Sequence, residues 1–230
     1  MEAAFVPPFL QTECDEMVQI IEELKKYAHK LVVGGLVVGA GGNLSLRDGD
    51  FMYISPSGFD LQEIEDHQWV KVHIASGKVE GNLRPSSEVL MHLACFQKNP
   101  HINAVLHAHP TYSVAVSSAG KEIPPIFPDF PAMVNSVGYL DYIIPTTELL
   151  ADAVGEIITE HEVIVMRNHG VLTVGKTLKE AYFYMQLTEE SAKVLTISTL
   201  FGGPRILTNE ECKELRNLSA ERYRSKLLQE

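Results

Sequence analysis

Helical and strand-like apolar periods alternate along this chain, and that alternation excludes all-helical and all-strand architectures. A helix needs apolar residues every three or four positions, a half-buried strand every second one. Met17, Val18, Ile20, Ile21, Leu24, Ala28, Leu31 and Val32 fall at helical spacing within residues 13 to 33, with Thr12 as the expected N-cap and Gly34-Gly35 as the stop. "NLSLR" and "FMYIS" then alternate as a hairpin closed at Asp48-Gly49-Asp50. "WVKVHIASGKVEG" reads as strand, turn and strand, "RPSSEVLMHLACFQKNP" as a helix, and "NAVLHAHP" as a strand ended by Pro110. A helix from Thr111 gives way to a proline-broken loop. There follow a strand in "YLDYIIP", a helix over about 147 to 161, strands in "EVIVMR" and "VLTVG" joined by the turn "NHG", a long helix from Leu178 and a charged helical tail. This order predicts an α/β sandwich with its strands enclosed by helices on both sides.

A chain of 230 residues, 45% of them hydrophobic, suits one large domain over residues 1–230. Its formal net charge of -11 argues against nucleic acid and anionic membrane as partners. Cys14, Cys95 and Cys212 are widely spaced and form no CxxC pair, which predicts neither a disulfide framework nor a cysteine zinc site and suits a reducing cytoplasm. The first residues have no basic start, and the apolar runs are too short for a signal peptide or a membrane span, so a soluble, untargeted chain is expected.

Side chains alternate faces along a strand, so in "VLHAHP" Val105, His107 and His109 point one way and Leu106 and Ala108 the other. Two imidazoles on one face can clamp a metal, but zinc or manganese needs a further protein ligand and open positions for substrate. An isolated H-x-H pair can equally be satisfied by backbone groups. His169 is the expected third ligand, because "NHG" sets it on a turn where Gly170 lets the backbone fold sharply. His29, His67, His73, His92, His101 and His161 read as solvated or structural.

Glu88 opens the helix that follows Ser86 and Ser87. With either serine as N-cap, a capping-box acid belongs at position 89 or 90, which are valine and leucine. Glu88 is then left either to favour the helix dipole or to act as a general base, beside serine hydroxyls and free helix amides that can cradle a phosphate. Gly41-Gly42-Asn43 with "SPSG" at 55 to 58 forms a second possible cradle, although such turns also occur as plain hairpin turns.

The ordered set "GGNLS", "SPSG", "PSSE", "HAHP" and "NHG" resembles the class II aldolase and adducin head-domain family, of the fuculose-1-phosphate aldolase and ribulose-5-phosphate 4-epimerase type. The resemblance runs from roughly residue 15 to 200. It implies a three-layer α/β/α sandwich with a central, mainly antiparallel sheet, and a homotetramer with sites at subunit interfaces, to which the C-terminal helix from about 208 onward is suited. By the same resemblance His107, His109 and His169 bind one divalent metal per subunit, zinc foremost and manganese, cobalt or magnesium as alternatives. Glu88 becomes the acid/base, and Gly42, Asn43, Ser57, Gly58, Ser86 and Ser87 hold a substrate phosphate. Tyr223 matches a tyrosine that the family's tail lends to a neighbouring site, or else packs as a helix aromatic.

The activity so implied is that of a metal-dependent aldolase, a lyase cleaving a small ketose phosphate through a metal-stabilised enediolate. Fuculose-phosphate aldolases carry a tyrosine after the H-x-H strand, whereas this chain reads "IPPIFPDFP", with Asp129 or Phe130 near that place. The alternatives on the same scaffold are decarboxylation of a 3-oxo acid or its phosphate, for which Arg84 can hold a carboxylate, and sugar-phosphate 4-epimerisation or dehydration. A non-catalytic adducin-like interaction module is the alternative of another class, but adducin heads lack the metal histidines that this chain keeps.

Overall fold

A computed structural model of the protein describes residues 8–229, with side chains from Met17 onward. The strands are β1 (Asn43–Asp48), β2 (Phe51–Ile54), β3 (Val70–His73), β4 (Val79–Glu80), β5 (Ala104–Ala108), β6 (Val137–Leu140), β7 (Val163–Met166) and β8 (Gly170–Gly175). They form one sheet in the order β4-β3-β2-β1-β5-β8-β7-β6. Every neighbouring pair is antiparallel except β6 and β7. The helices are α1 (Pro8–Val33), α2 (Val89–Lys98), α3 (Thr111–Ser118), α4 (Asp129–Met133), α5 (Glu148–Ile157), α6 (Leu178–Thr199), α7 (Asn209–Asn217) and α8 (Ser219–Leu228).

Alternation along the strands sorts the buried residues into two cores. Leu44, Ala104, Leu106, Ala108, Val163 and Val165 face Leu24 and Leu31 of α1, Val116 of α3, Phe130 of α4 and Met185 of α6. Val105, Ile164 and Leu172 face the other way, onto Met91 and Phe96 of α2 and Leu150 and Val154 of α5. The fold is therefore a three-layer α/β/α sandwich, its layers as the apolar pattern predicts and its mainly antiparallel sheet as the family resemblance implies. Each buried leucine contributes about 2 kcal/mol relative to exposure, so the two cores hold the central strands β5 and β8 firmly.

Local features differ from expectation at four places. Helix α1 starts at Pro8, so Thr12 lies inside it and does not cap it; proline suits a first turn, where its missing N–H has no partner to lose. Strand β6 begins earlier and ends at Leu140, because β7, its sole partner in the sheet, runs out opposite it at Met166. The proline loop contains the short α4, and Pro131 is tolerated there because it sits in the first turn. The charged tail is two helices, and the end of the second is anchored: Leu228 is buried in the core, its carbonyl accepts from Thr177 Oγ1 at 2.6 Å, and Gln229 Nε2 donates to Glu180 at 3.0 Å. Among the described residues no helix is long and apolar enough to cross a membrane.

Candidate metal centre

Strand β5 delivers His107 on the α2 side of the sheet, and the chain leaves the strand with the His109 N–H donating to the Leu36 carbonyl at 3.1 Å. His169 sits in the tight β7–β8 turn, where its N–H donates to the Met166 carbonyl at 3.1 Å. The left-handed residue of that turn is Asn168, at φ 58, and not Gly170 as the sequence suggested. Gly170 is required for a different reason. A Cβ there would lie 2.4 Å from the Ala108 carbonyl oxygen, 2.7 Å from the His109 ring and 2.9 Å from the His107 ring. Only glycine lets the turn press His169 against the other two imidazoles.

The three rings converge, with centroids 4.8 Å, 4.8 Å and 5.5 Å apart, and each offers a ligand atom within 4.8 Å of the other two. The Nε2 atoms of His107 and His109 are 3.0 Å apart. Tetrahedral zinc, with Zn–N bonds of about 2.0–2.1 Å, spaces its ligand nitrogens about 3.3 Å apart, so this pair needs only a small opening to accept an ion. His107 Nδ1 donates to the Val171 carbonyl at 3.0 Å, which fixes the tautomer and leaves the Nε2 lone pair facing its neighbours. Burial pulls the His107 pKa down to about 3 against the opposing charge of Glu88, and burial lowers His109 as well. Neutral imidazole is the form that binds metal, so the donor set fits a divalent cation.

Glu88 is itself the N-cap of α2, at φ -100 and ψ 19, and its side chain makes no capping bond. Neither serine holds that position; Ser86 Oγ instead accepts from the Glu88 N–H at 3.3 Å. The carboxylate is 6% exposed and points into the histidines, with Oε2 3.2 Å from His107 Nε2 and Oε1 3.1 Å from His169 Nε2. Asn43 Nδ2 donates to Oε2 at 2.8 Å, whereas Oε1 makes no hydrogen bond. Burial works to raise the Glu88 pKa, but the attraction of His107 and the contacts with His169 and Asn43 outweigh it, and the net shift is downward. An ionised carboxylate with one open oxygen beside three imidazoles can accept and return a proton.

The two expected cradle segments meet at this end of the sheet. The Ser57 N–H donates to the Arg84 carbonyl at 3.0 Å and the Ser86 N–H to the Ser55 carbonyl at 2.9 Å, which sets 55–58 alongside 84–87. Ser86 is buried, Ser87 and Arg84 are exposed, and Gly58 has φ +82. Gly42, at φ +74, allows the chain to enter β1 so closely that a Cβ would strike Val37 at 2.5 Å. Asn43 has a place the sequence did not suggest: one N–H of its amide goes to Glu88 and its Oδ1 lies 2.6 Å from His92 Nε2, which leaves its second N–H for a ligand.

Tyr223 lies on α8, 64% exposed. In the segment after the H-x-H strand, Asp129 bonds Arg224 at 3.3 Å and Phe130 is buried in the core, so neither takes the place of a tyrosine hydroxyl. His92 and Ser45 are residues whose place in the site the sequence reading missed, and both are fully buried beside Asn43. The signals were present: His92 follows Glu88 by four residues on a helix, and Ser45 follows Asn43 by two on a strand.

Residues 22–196 match the model of the class II aldolase and adducin N-terminal domain. An L-fuculose phosphate aldolase of Methanococcus vannielii is 35% identical over 174 residues, covering 76% of this chain and 94% of that protein. A 3-oxo-tetronate 4-phosphate decarboxylase of Escherichia coli is 33% identical over 204 residues, covering 85% of this chain and 94% of that protein. A solved L-fuculose 1-phosphate aldolase superposes with a TM-score of 0.81 at 32% identity, over 90% of this chain and 96% of its own. The matched span contains Glu88 and all three clustered histidines, and this chain belongs to the class II aldolase and adducin N-terminal domain family.

Proposed function

We propose that the protein, a lyase of the class II aldolase family, cleaves a small ketose phosphate at the carbon–carbon bond one removed from its ketone, between the α and β carbons. The observation that carries this reading is the buried Glu88 carboxylate set against two of three converging imidazoles. His107, His109 and His169 hold one divalent ion, zinc by its preference for imidazole, or else manganese, cobalt or magnesium. When bound, the ion would supply the positive charge that draws electrons onto the ketone oxygen as the bond between the α and β carbons breaks. Glu88 delivers a proton to the carbon left electron-rich and removes it in the reverse direction. Gly42, Asn43, Ser57, Gly58, Ser86 and Ser87 receive the phosphate through backbone N–H groups, hydroxyls and the second Asn43 amide N–H, which fixes the register of the cleaved bond. Exposed Tyr223 serves a neighbouring subunit in a homotetramer with interfacial sites. The chain works as one domain in the cytoplasm, with which its free, buried Cys95 and Cys212 agree.

A second reading, decarboxylation of a 3-oxo acid phosphate, is favoured by one feature. Loss of carbon dioxide needs no donor for an aldehyde oxygen, and the segment after the H-x-H strand supplies none: Phe130 is in the core and Asp129 faces Arg224. The test is a panel of ketose 1-phosphates and 3-oxo acid 4-phosphates offered to the metal-loaded protein, with aldehyde and carbon dioxide measured separately. Aldehyde from a ketose 1-phosphate supports the aldolase, and carbon dioxide from a 3-oxo acid supports the decarboxylase. Neither product from any member overturns both.

A further inference from the structure

Behind Glu88 lies a line of buried polar side chains, of which the proposed chemistry uses neither Ser45 nor His92. Ser45 Oγ is 2.6 Å from His92 Nδ1, His92 Nε2 is 2.6 Å from Asn43 Oδ1, and Asn43 Nδ2 is 2.8 Å from Glu88 Oε2. Ser45 and His92 are 0% exposed, Asn43 5% and Glu88 6%. The fold makes the line possible. Asn43 and Ser45 share the α2-facing side of β1, because Leu44 between them points into the opposite core. His92 stands one helical turn beyond Glu88 on α2, and Asn43 pairs across the sheet with His107.

The direction of every hydrogen bond in this line follows from its end. An ionised carboxylate only accepts, so Asn43 must present its NH₂ to Glu88 and its carbonyl oxygen to His92. That oxygen needs a donor, so His92 carries its proton on Nε2. Its Nδ1 is then a bare acceptor, filled by the Ser45 O–H. Burial, acting against the upward pull of Glu88, brings the His92 pKa down to about 4, in keeping with the neutral ring this pattern demands. All three bonds donate toward Glu88, and aligned bonds of this kind reinforce one another in a buried setting.

We propose that Ser45 and His92 are positioning residues that lock the Asn43 amide, and through it hold Glu88 by one oxygen while leaving the other open for proton movement. The role assigned to Glu88 rests on the lyase reading above; the directed chain itself does not. Two observables of the chain need no turnover. Long-range proton–nitrogen spectra of the full-length, metal-loaded protein should show His92 as the Nε2–H tautomer. A crystal structure of His92→Phe should show the Asn43 amide turned away from Glu88.

Activity then tests the consequence, using whichever substrate the panel identifies. His92→Phe should lower kcat about 10–100-fold, as loss of an orienting partner commonly does, with KM and bound metal unchanged. His92→Gln, whose amide can still donate to Asn43, should recover part of the rate, and Ser45→Ala should lose only part of it. Combined with Glu88→Gln, His92→Phe should cause no further loss, because it acts only through Glu88. The proposal is overturned by an Nδ1–H tautomer, by wild-type kcat in His92→Phe, or by full additivity in the double variant. If His92→Phe does not fold, the tautomer and Ser45→Ala decide. If the wild-type protein cleaves no member of the panel, the lyase reading fails, while the tautomer and the crystal structure still settle the directed chain.

Discussion

Two glutamates of this protein are buried to nearly the same depth, Glu88 at 6% exposure and Glu180 at 4%, and both stand where a helix starts. Their surroundings differ in kind. Glu180 Oε1 accepts from the Tyr184 hydroxyl at 2.9 Å and Gln229 Nε2 at 3.0 Å, and Oε2 accepts from the Lys176 N–H at 2.7 Å. Glu88 receives one amide hydrogen bond on Oε2 and none on Oε1, and its other close contacts are imidazoles. Strand β8 links the two settings, starting after His169 and ending about 17 Å away at Gly175, beside Glu180. Depth of burial therefore does not separate a carboxylate tied into the fold from the one proposed to be reactive. Satisfaction differs: among the described residues three buried side-chain atoms lack a hydrogen bond, Trp69 Nε1 in the core and, side by side at the candidate centre, Glu88 Oε1 and His169 Nδ1, whereas both Glu180 oxygens are bonded.

The contrast can be broken most severely at the metal end. Replacing His107, His109 or His169 with alanine should abolish stoichiometric metal binding and turnover together, as elemental analysis and product assays would show; full metal occupancy in His169→Ala would remove it from the ligand set. Gly170→Ala comes next, since its Cβ meets a backbone oxygen at 2.4 Å and two ligand rings within 3 Å. Its metal affinity, measured by chelator competition, should fall about 10–100-fold. At the other end of β8, Glu180→Gln should cost about 1–3 kcal/mol in denaturant unfolding and leave kcat unchanged, because it removes one of the acceptor oxygens that serve the buried Tyr184 hydroxyl, the Lys176 N–H and Gln229, far from the histidines. Gln229→Ala removes only one of those donors and should cost about 0.5–1.5 kcal/mol in the same measurement.

How much of this was legible in the sequence depended on whether a feature is set locally. The period of two along "VLHAHP" put His107 and His109 on one face, and the absence of a capping-box acid at 89 or 90 freed Glu88 for another role. The role of Asn43 was not legible, because its partners Glu88 and His92 lie 45 and 49 residues away and only the packing of α2 onto β1 brings them to its amide. Strand β6 was misplaced because its extent is set by where β7 ends, and the anchoring of the charged tail was not legible because nothing local shows that Thr177 and Glu180 grip its last turn. Gly170 was assigned to the right turn for the wrong cause. Its neighbours Ala108 and His109 come from another strand, so steric need could not be read from "NHG" alone.

The most direct test of the central claim sets Glu88→Gln beside the wild-type protein and measures bound metal and turnover on the same samples. Glutamine is nearly isosteric and the three histidines remain, so metal content and folding should be retained while kcat falls by about two to four orders of magnitude, the usual worth of a placed acid/base. A Glu88→Gln protein that keeps its metal and turns over at the wild-type rate would contradict the account.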